Sequence, residues 1–379
     1  MTDNTAQESF PVITDEMVAD MRARIGDPMP DHFEPWITEV TRDAIRHYAH
    51  GIGDDNPLWC DPDYARGTKF GDVIAPPSIL FACTQAGGSV TGMPGIHAMW
   101  AGCEFTWHHP IRRNTAISNK AYLKDLIEHQ TRFAGRAFQQ IHHIDFFDEK
   151  GVLLAEMDNW MFRTERDAAR ESGTKYDSLK KKGRRKLTDA DLKRVHDLYD
   201  AEEIRGATPR YWEDVAEGEA LPTMAKGPMT VTGFIAYVQG WGGLYIRSNK
   251  LYYKQVKRLP ALGIKDEWGI PDCPEAVHWR DDFATMVGAP GAYDYGPERA
   301  SWMSHMLTNW IGDDGFLRKM KCAVRRHNPV GDILFFDGRV TRKFEENGRK
   351  LVEISVQALT DTGEESLNGS AVAELPTKS

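Results

Sequence analysis

No C-x-x-C pair occurs in this chain of 379 residues, and its five cysteines, Cys60, Cys83, Cys103, Cys273 and Cys322, are scattered. That spacing offers no zinc ribbon and no disulfide framework, and it fits free thiols in a reducing compartment. No run of 18 apolar residues occurs, so no segment reads as a membrane span. The opening MTDNTAQESFPV lacks a basic region and an apolar core, which makes a cytoplasmic protein the expectation. Positive charge is also short: 47 Lys and Arg stand against 56 Asp and Glu, a net charge of −9 that argues against nucleic acid as the partner. A Gly-rich phosphate loop, a Ser-His-Asp order and EF-hand spacing are absent too, so no cofactor is expected.

What is present is a repeat. The stretch EVTRDAIRHYAHGIG (39–53) has apolar and small residues at helical spacing behind a capping threonine, and TVTGFIAYVQGWGG (230–243) repeats the pattern with Thr232 as the expected cap. Each is followed by a second apolar helical stretch, PPSILFACTQAGG from Pro76 and GPERASWMSHMLTNWIG from Gly296. Both halves then end in alternating β-branched and aromatic runs broken by DEKG, ENGR and TDTG, which predicts antiparallel meanders. Matching order and punctuation point to duplication. The expected division is an N-terminal extension (1–30), a first domain (31–165), a charged helical linker (166–207) and a second domain (208–379). Within the linker, Thr188 and Asp191 have the spacing of a capping box, and the run KKKGRRK reads as a solvated basic face.

Tyr48 leads into Gly53-Asp54-Asp55-Asn56-Pro57-Leu58, and DPDYARGTKFGDVIAPP follows. PRYWEDVAEGEALP opens the second half, and HNPVGDILFFDGRV begins its late strands. In these stretches the sequence resembles the MaoC-like family of R-specific enoyl-CoA hydratases and dehydratases, its first half resembling the FAS1-like dehydratase type. The resemblance implies an α+β chain, a tandem (double) hotdog in which each half is a long helix wrapped by a curved antiparallel β-sheet. It also implies an aspartate and a histidine, delivered by the segment after the first helix, that activate the water added to an acyl-CoA. A glycine N–H at the start of the next helix would hold the thioester oxygen, as a helix N-terminus is suited to do.

Each half can be held against that requirement. The first keeps Asp54, Asn56 and Pro57, but Trp59 stands at the histidine position and Pro77 at the donor glycine. Proline has no N–H to donate, so this half reads as a binding and structural partner. Its Asp54 and Asn56 would satisfy backbone groups in the turn. In the second half, PEAVHWRDDFATMVGAPGAYDYG aligns His278 with the catalytic histidine and Gly296 with the donor glycine. Strict spacing puts Cys273 at the carboxylate, so Asp272, one residue earlier, is the first choice, with Asp266 behind it and Asp54 as the alternative from the other half.

The implied activity is reversible hydration of a 2-enoyl-CoA to a 3-hydroxyacyl-CoA, without metal or redox cofactor. The rivals are a hotdog thioesterase and a non-catalytic acyl-CoA-binding subunit of a heteromeric hydratase. Asn56, Trp59, Trp241, Tyr245 and Tyr252 are the candidate acyl-binding side chains for a bulky or ring-bearing group, the last two within an insertion rich in Tyr and Trp that would serve a subunit contact equally well. Lys250 and Lys254 on one helical face would meet CoA phosphates. The partner expected besides the acyl-CoA is a second copy, as a homodimer, or a related hotdog subunit; neither nucleic acid nor membrane is expected. The pairs His108-His109 and His142-His143 cannot chelate as neighbours, because adjacent strand residues face opposite ways. A cross-strand metal site would need a third ligand that the sequence does not identify.

Overall fold

The computed structural model describes residues 11–29, 34–85, 92–93, 96–131, 135–165, 184–243 and 246–378. Eleven strands are formed: β1 (His97–Trp107), β2 (Ser118–Thr131), β3 (Gly135–Phe147), β4 (Leu153–Thr164), β5 (Met224–Lys226), β6 (Ile264–Lys265), β7 (Pro271–Asp272), β8 (Phe316–Val324), β9 (Leu334–Glu346), β10 (Arg349–Thr360) and β11 (Glu365–Glu374). Nine of them make one sheet in the order β2-β3-β4-β1-β8-β11-β10-β9-β5. Read outward from the central β1–β8 pair, the first half runs β1-β4-β3-β2 and the second β8-β11-β10-β9. The two meanders are therefore mirrored about one antiparallel seam. Cys103 faces Cys322 across it, with the sulfurs 3.7 Å apart and both thiols free.

The helices follow the same duplication. The chain opens with α1 (Asp15–Ala23) and continues through α2 (Arg42–Gly51), α3 (Pro57–Cys60) and α4 (Pro62–Arg66). After the linker helix α5 (Asp189–Asp200) come α6 (Val231–Trp241), α7 (Asn249–Arg258), α8 (Asp281–Met286) and α9 (Gly296–Ile311). Thr41 caps α2 by accepting from the Ala44 N–H, and the capping box of Thr188 and Asp191 starts α5. The cap of α6 is Thr230 rather than Thr232: its hydroxyl accepts from the Gly233 N–H at 2.9 Å, which brings Val231 and Thr232 into the first turn. The counterpart helices α2 and α6 cross at small residues. A Cβ on Gly240 would stand 2.6 Å from the His47 carbonyl oxygen, and one on Gly51 2.9 Å from that of Ala236, so only glycine lets the two backbones touch.

One long central helix was expected in each half, and the described residues show it only in the second. There α9 is buried on every side, with only Gly296 and Thr308 outside the core. The equivalent first-half stretch enters through Pro77 as a 3-10 helix, Pro77–Ala82, with no side-chain cap. That tighter geometry is rarely sustained beyond a few residues. A helix buried all round must match each polar side chain it carries. In α9, Arg299 bonds Asp294 and the carbonyls of Arg326 and Ser366, Ser301 meets the Tyr48 hydroxyl at 2.9 Å, and His305 reaches into a polar cluster at the seam between the halves. The insertion after α6 forms α7 and the small β6–β7 ladder, with Tyr253 and Trp268 on its exposed side.

Candidate active site

His278 ends a short 3-10 helix, Pro274–His278, with α8 and a loop between it and α9. Its Nδ1 lies 2.8 Å from the Tyr293 carbonyl oxygen, which can only accept, so Nδ1 carries the ring proton and Nε2 keeps its lone pair. The imidazole stacks on Tyr295 at 3.7 Å between ring centroids and meets Tyr293 edge-on at 4.7 Å. Burial of the ring pushes its pKa down to about 4, against hydrogen bonds to the backbone at Tyr293 and Asp294. The imidazole is thus neutral at physiological pH and fit to act as a base.

The carboxylate expected beside it is not Asp272. That side chain accepts from the Cys273 N–H at 2.7 Å and lies 3.9 Å from Arg280. Asp266 is engaged as well: it accepts from the N–H groups of Trp268 and Ile270 and pairs with Arg280 at 3.0 Å. Arg280 gathers Asp266, Asp272 and Asp282 around its guanidinium. The buried acid on the histidine's own helix is Glu275. In a 3-10 helix, residues three apart eclipse one another, so Glu275 and His278 share a face. Glu275 also raises the Tyr295 phenol through its charge, after burial itself, which puts its carboxylate close to the ring on which His278 stacks. Cys273 is no nucleophile, since burial pushes its thiol up to about 12 with Glu275 and Asp272 adding to the shift.

Gly296 opens α9, directly after Tyr295, at the first helical position, where an N–H has no acceptor within the helix. The Trp100 ring from the first half lies over it so closely that a Cβ would stand 2.2 Å from the indole. Trp100 meets Phe81 at 6.1 Å, while Trp241 lies 5.2 Å from Tyr295 and stacks on Tyr237. A pocket between the halves is bounded by Phe81, Trp241 and Gly243, and a Cβ on Gly243 would come 3.5 Å from Glu275. Trp241 is thus part of this aromatic wall. Tyr252 is tied through its hydroxyl to the Leu262 carbonyl within the insertion, Lys250 and Lys254 are exposed on α7, and Tyr245 lies outside the described residues.

The first-half loop is built differently. The Asp54 carboxylate accepts from the Asn56 N–H, and Asn56 in turn caps α3 through the Leu58 N–H, each at 3.0 Å. Asn56 and Trp59 line a half-open, mostly apolar cleft of about 570 Å³, part of it open solvent, together with Pro77, Trp107, Thr308 and Phe316. This roomier cleft shares no lining residue with the surroundings of His278. Behind it, Asp54 belongs to a largely buried cluster, with Glu202 at its partly exposed edge, that residue spacing alone did not reveal. Lys226 donates to the carbonyls of Ile52 and Gly53 and to His305 Nδ1 at 2.9 Å. His305 Nε2 stands 3.0 Å from Glu202 and 3.5 Å from Asp54. Burial raises the Asp54 pKa against the pull of His305, the Asn56 N–H and Lys226. Burial acts on Glu202 in the same direction, but there His305 and Lys226 outweigh it and leave the group below its usual value. One ammonium thus serves two acids, and the cluster ties the loop after α2 to β5, α5 and α9. The sequence signal for it was a histidine and a lysine at core positions in otherwise apolar elements.

Residues 29–156 match the FAS1-like dehydratase domain region. A UPF0336 protein of Streptomyces avermitilis is 35% identical over 97 residues, covering 23% of this chain and 65% of that protein, just under two thirds of its length. One from Streptomyces griseus subsp. griseus is 30% identical over 122 residues, covering 31% of this chain and 78% of its own length. Among solved structures, a MaoC-like dehydratase superposes with a TM-score of 0.64 at 16% identity, over 94% of this chain and 100% of the other. A Mycobacterium tuberculosis protein described as having a double hotdog fold gives 0.51 at 10% identity, over 90% and 94%. Similarity at these identities shows the fold, and the UPF0336 relatives show the lineage. The chain belongs to the UPF0336 family, its residues 29–156 match the FAS1-like dehydratase domain region, and its fold is the double hotdog of the solved MaoC-like dehydratase.

Proposed function

We propose that the chain adds water reversibly across the double bond of a 2-enoyl-CoA, giving a 3-hydroxyacyl-CoA, at the second-half site. The observation that carries this reading is the neutral imidazole of His278, pinned through Nδ1 and stacked on the residue that precedes the first amide of α9. His278 Nε2 takes a proton from water as its oxygen bonds to C3, and Glu275 orients that water and holds the resulting imidazolium. The proton then passes to C2 as the enolate collapses, so hydroxyl and hydrogen both come from one water. Negative charge grows on the thioester oxygen in between, where the Gly296 N–H and the field of α9 would stabilise it. The wall of Trp100, Phe81, Trp241 and Tyr295 suits a bulky or ring-bearing acyl group, which binds through apolar and aromatic area.

One observation favours a second reading. An apolar cleft lies at Asn56 and Trp59, with no lining residue near His278, as a subunit that binds an acyl-CoA and leaves the chemistry to a partner would have it. A thioesterase is the third candidate. The purified full chain with a short linear and a ring-bearing 2-enoyl-CoA separates them. Loss of enoyl-thioester absorbance without free thiol supports hydration, thiol release supports hydrolysis, and binding without either change supports the non-catalytic subunit.

A further inference from the structure

On the outer face of the first-half sheet, β3 and β4 bring His143 opposite Asp158 and Asp145 opposite Glu156. Just past the end of β1, His108 reaches the same face and bonds Glu156 through Nε2 at 2.7 Å. One ligand atom each from His143, Asp145 and Glu156 lie within 4.8 Å of one another. We propose that these three side chains form a site for a divalent transition ion of the zinc type, with His108 bonded to Glu156 beside it. This site is separate from the one at His278 and does not depend on the activity proposed there.

Three features carry it beyond a cluster of charge. The first is ligand chemistry: one imidazole and two carboxylates from two neighbouring strands form a mixed nitrogen and oxygen set that suits zinc, with a position left for water. At metal–ligand bonds of about 2.1 Å, two ligands on a tetrahedral ion stand about 3.4 Å apart. His143 Nε2 and Asp145 are now at 3.0 Å, so only small side-chain rotations would admit an ion. The second is orientation. His143 Nδ1 is held by Asp158 at 2.7 Å, and Asp158 by Lys124, which leaves Nε2 to face the other ligands. A carboxylate behind a metal-binding histidine fixes its tautomer and raises its basicity. The third is charge. Asp145, Glu156 and Asp158 gather on this face, where Lys124 pairs with Asp158 and Lys120, opposite Asp145, sits over the Phe147 ring. A dication cancels the remaining charge.

The test is calorimetric titration of the EDTA-stripped, tag-free full chain with Zn²⁺, and with Mg²⁺ as an oxygen-seeking control. Expected are saturable binding of Zn²⁺ near one per chain and none of comparable strength for Mg²⁺. His143→Ala and Glu156→Gln should each weaken Zn²⁺ binding at least about 10-fold, and Asp158→Asn, which touches no ion, by about 10-fold through the orientation of His143. These side chains are on the sheet's outer face, so unchanged circular dichroism of the variants is expected and is measured alongside. No saturable binding, or binding that survives both ligand substitutions, overturns the proposal.

Discussion

His278 and His305 do different work. His278 keeps a free Nε2 and stays neutral, whereas His305 has both nitrogens engaged by Lys226 and Glu202. His278→Ala should therefore lower kcat by about 100-fold or more, the usual contribution of a positioned base. Glu275→Gln should lower it in the same direction, while Asp272→Asn, whose carboxylate serves Arg280 and the Cys273 N–H, should leave kcat near wild type. Steady-state kinetics on folded variants decides between the two acids. The pH dependence has a definite sign. Folded His278 has a pKa near 4, below the 6.5 of a free imidazole. The unfolded chain therefore binds the extra proton between those values, and stability contributed by the neutral ring is present above pH 6.5 and lost as pH falls toward 4. The loss is at most about 3 kcal/mol. Urea titrations from pH 7 to 4.5 should show it in wild type and less of it in His278→Gln. Removing the His305 imidazole has another consequence: it leaves Lys226 and Glu202 buried without their bridge. His305→Ala should destabilise the fold by about 3 kcal/mol, read by urea denaturation.

Elements whose local rules point one way could be read directly. The capping box at Thr188 and Asp191 lies within four residues of sequence, and the late strands carry their turns with them. Where two local solutions compete, the reading slipped. Thr230 and Thr232 are both able to cap α6, and only the packed helix selects the earlier one. Asp272 was attractive because it precedes His278 closely in sequence, yet Arg280, two residues beyond His278, draws it aside. The Lys226–His305–Glu202 cluster could not be assembled from its core histidine and lysine, because its members lie 79 and 103 residues from His305 and meet only through the fold. The α2–α6 crossing gives a test at this scale. Gly240→Ala must push the backbones apart at His47 and Tyr48, a steric penalty of about 1–3 kcal/mol that should appear as a lowered Tm. On α7, the exposed Lys250 and Lys254 lie one turn apart, so a double Lys→Ala variant should raise KM for the CoA ester several-fold, more at low salt than at high, with kcat unchanged.

Across the whole molecule, two halves of one plan differ in their central helix and in what lines their clefts. The β1–β8 seam makes one sheet of two meanders, and the core spans both halves. Among the described residues only the second half has the central helix at full length, and two polar sets meet it: a neutral histidine near its start, and the Asp54, Glu202, Lys226 and His305 cluster deeper along it. The first-half loop keeps the family's Asp54 and Asn56 as turn and cluster members, while Trp59 and Pro77 give its cleft an apolar lining instead of an imidazole and an N–H. The measurement that bears most directly on this difference is hydration of a 2-enoyl-CoA by wild type, His278→Ala and Asp54→Asn, each shown to be folded. The prediction is that turnover falls about 100-fold or more with His278→Ala and persists with Asp54→Asn, whatever that change costs in stability. Undiminished turnover in His278→Ala, together with its loss in Asp54→Asn, would contradict the account and move the chemistry to the first half.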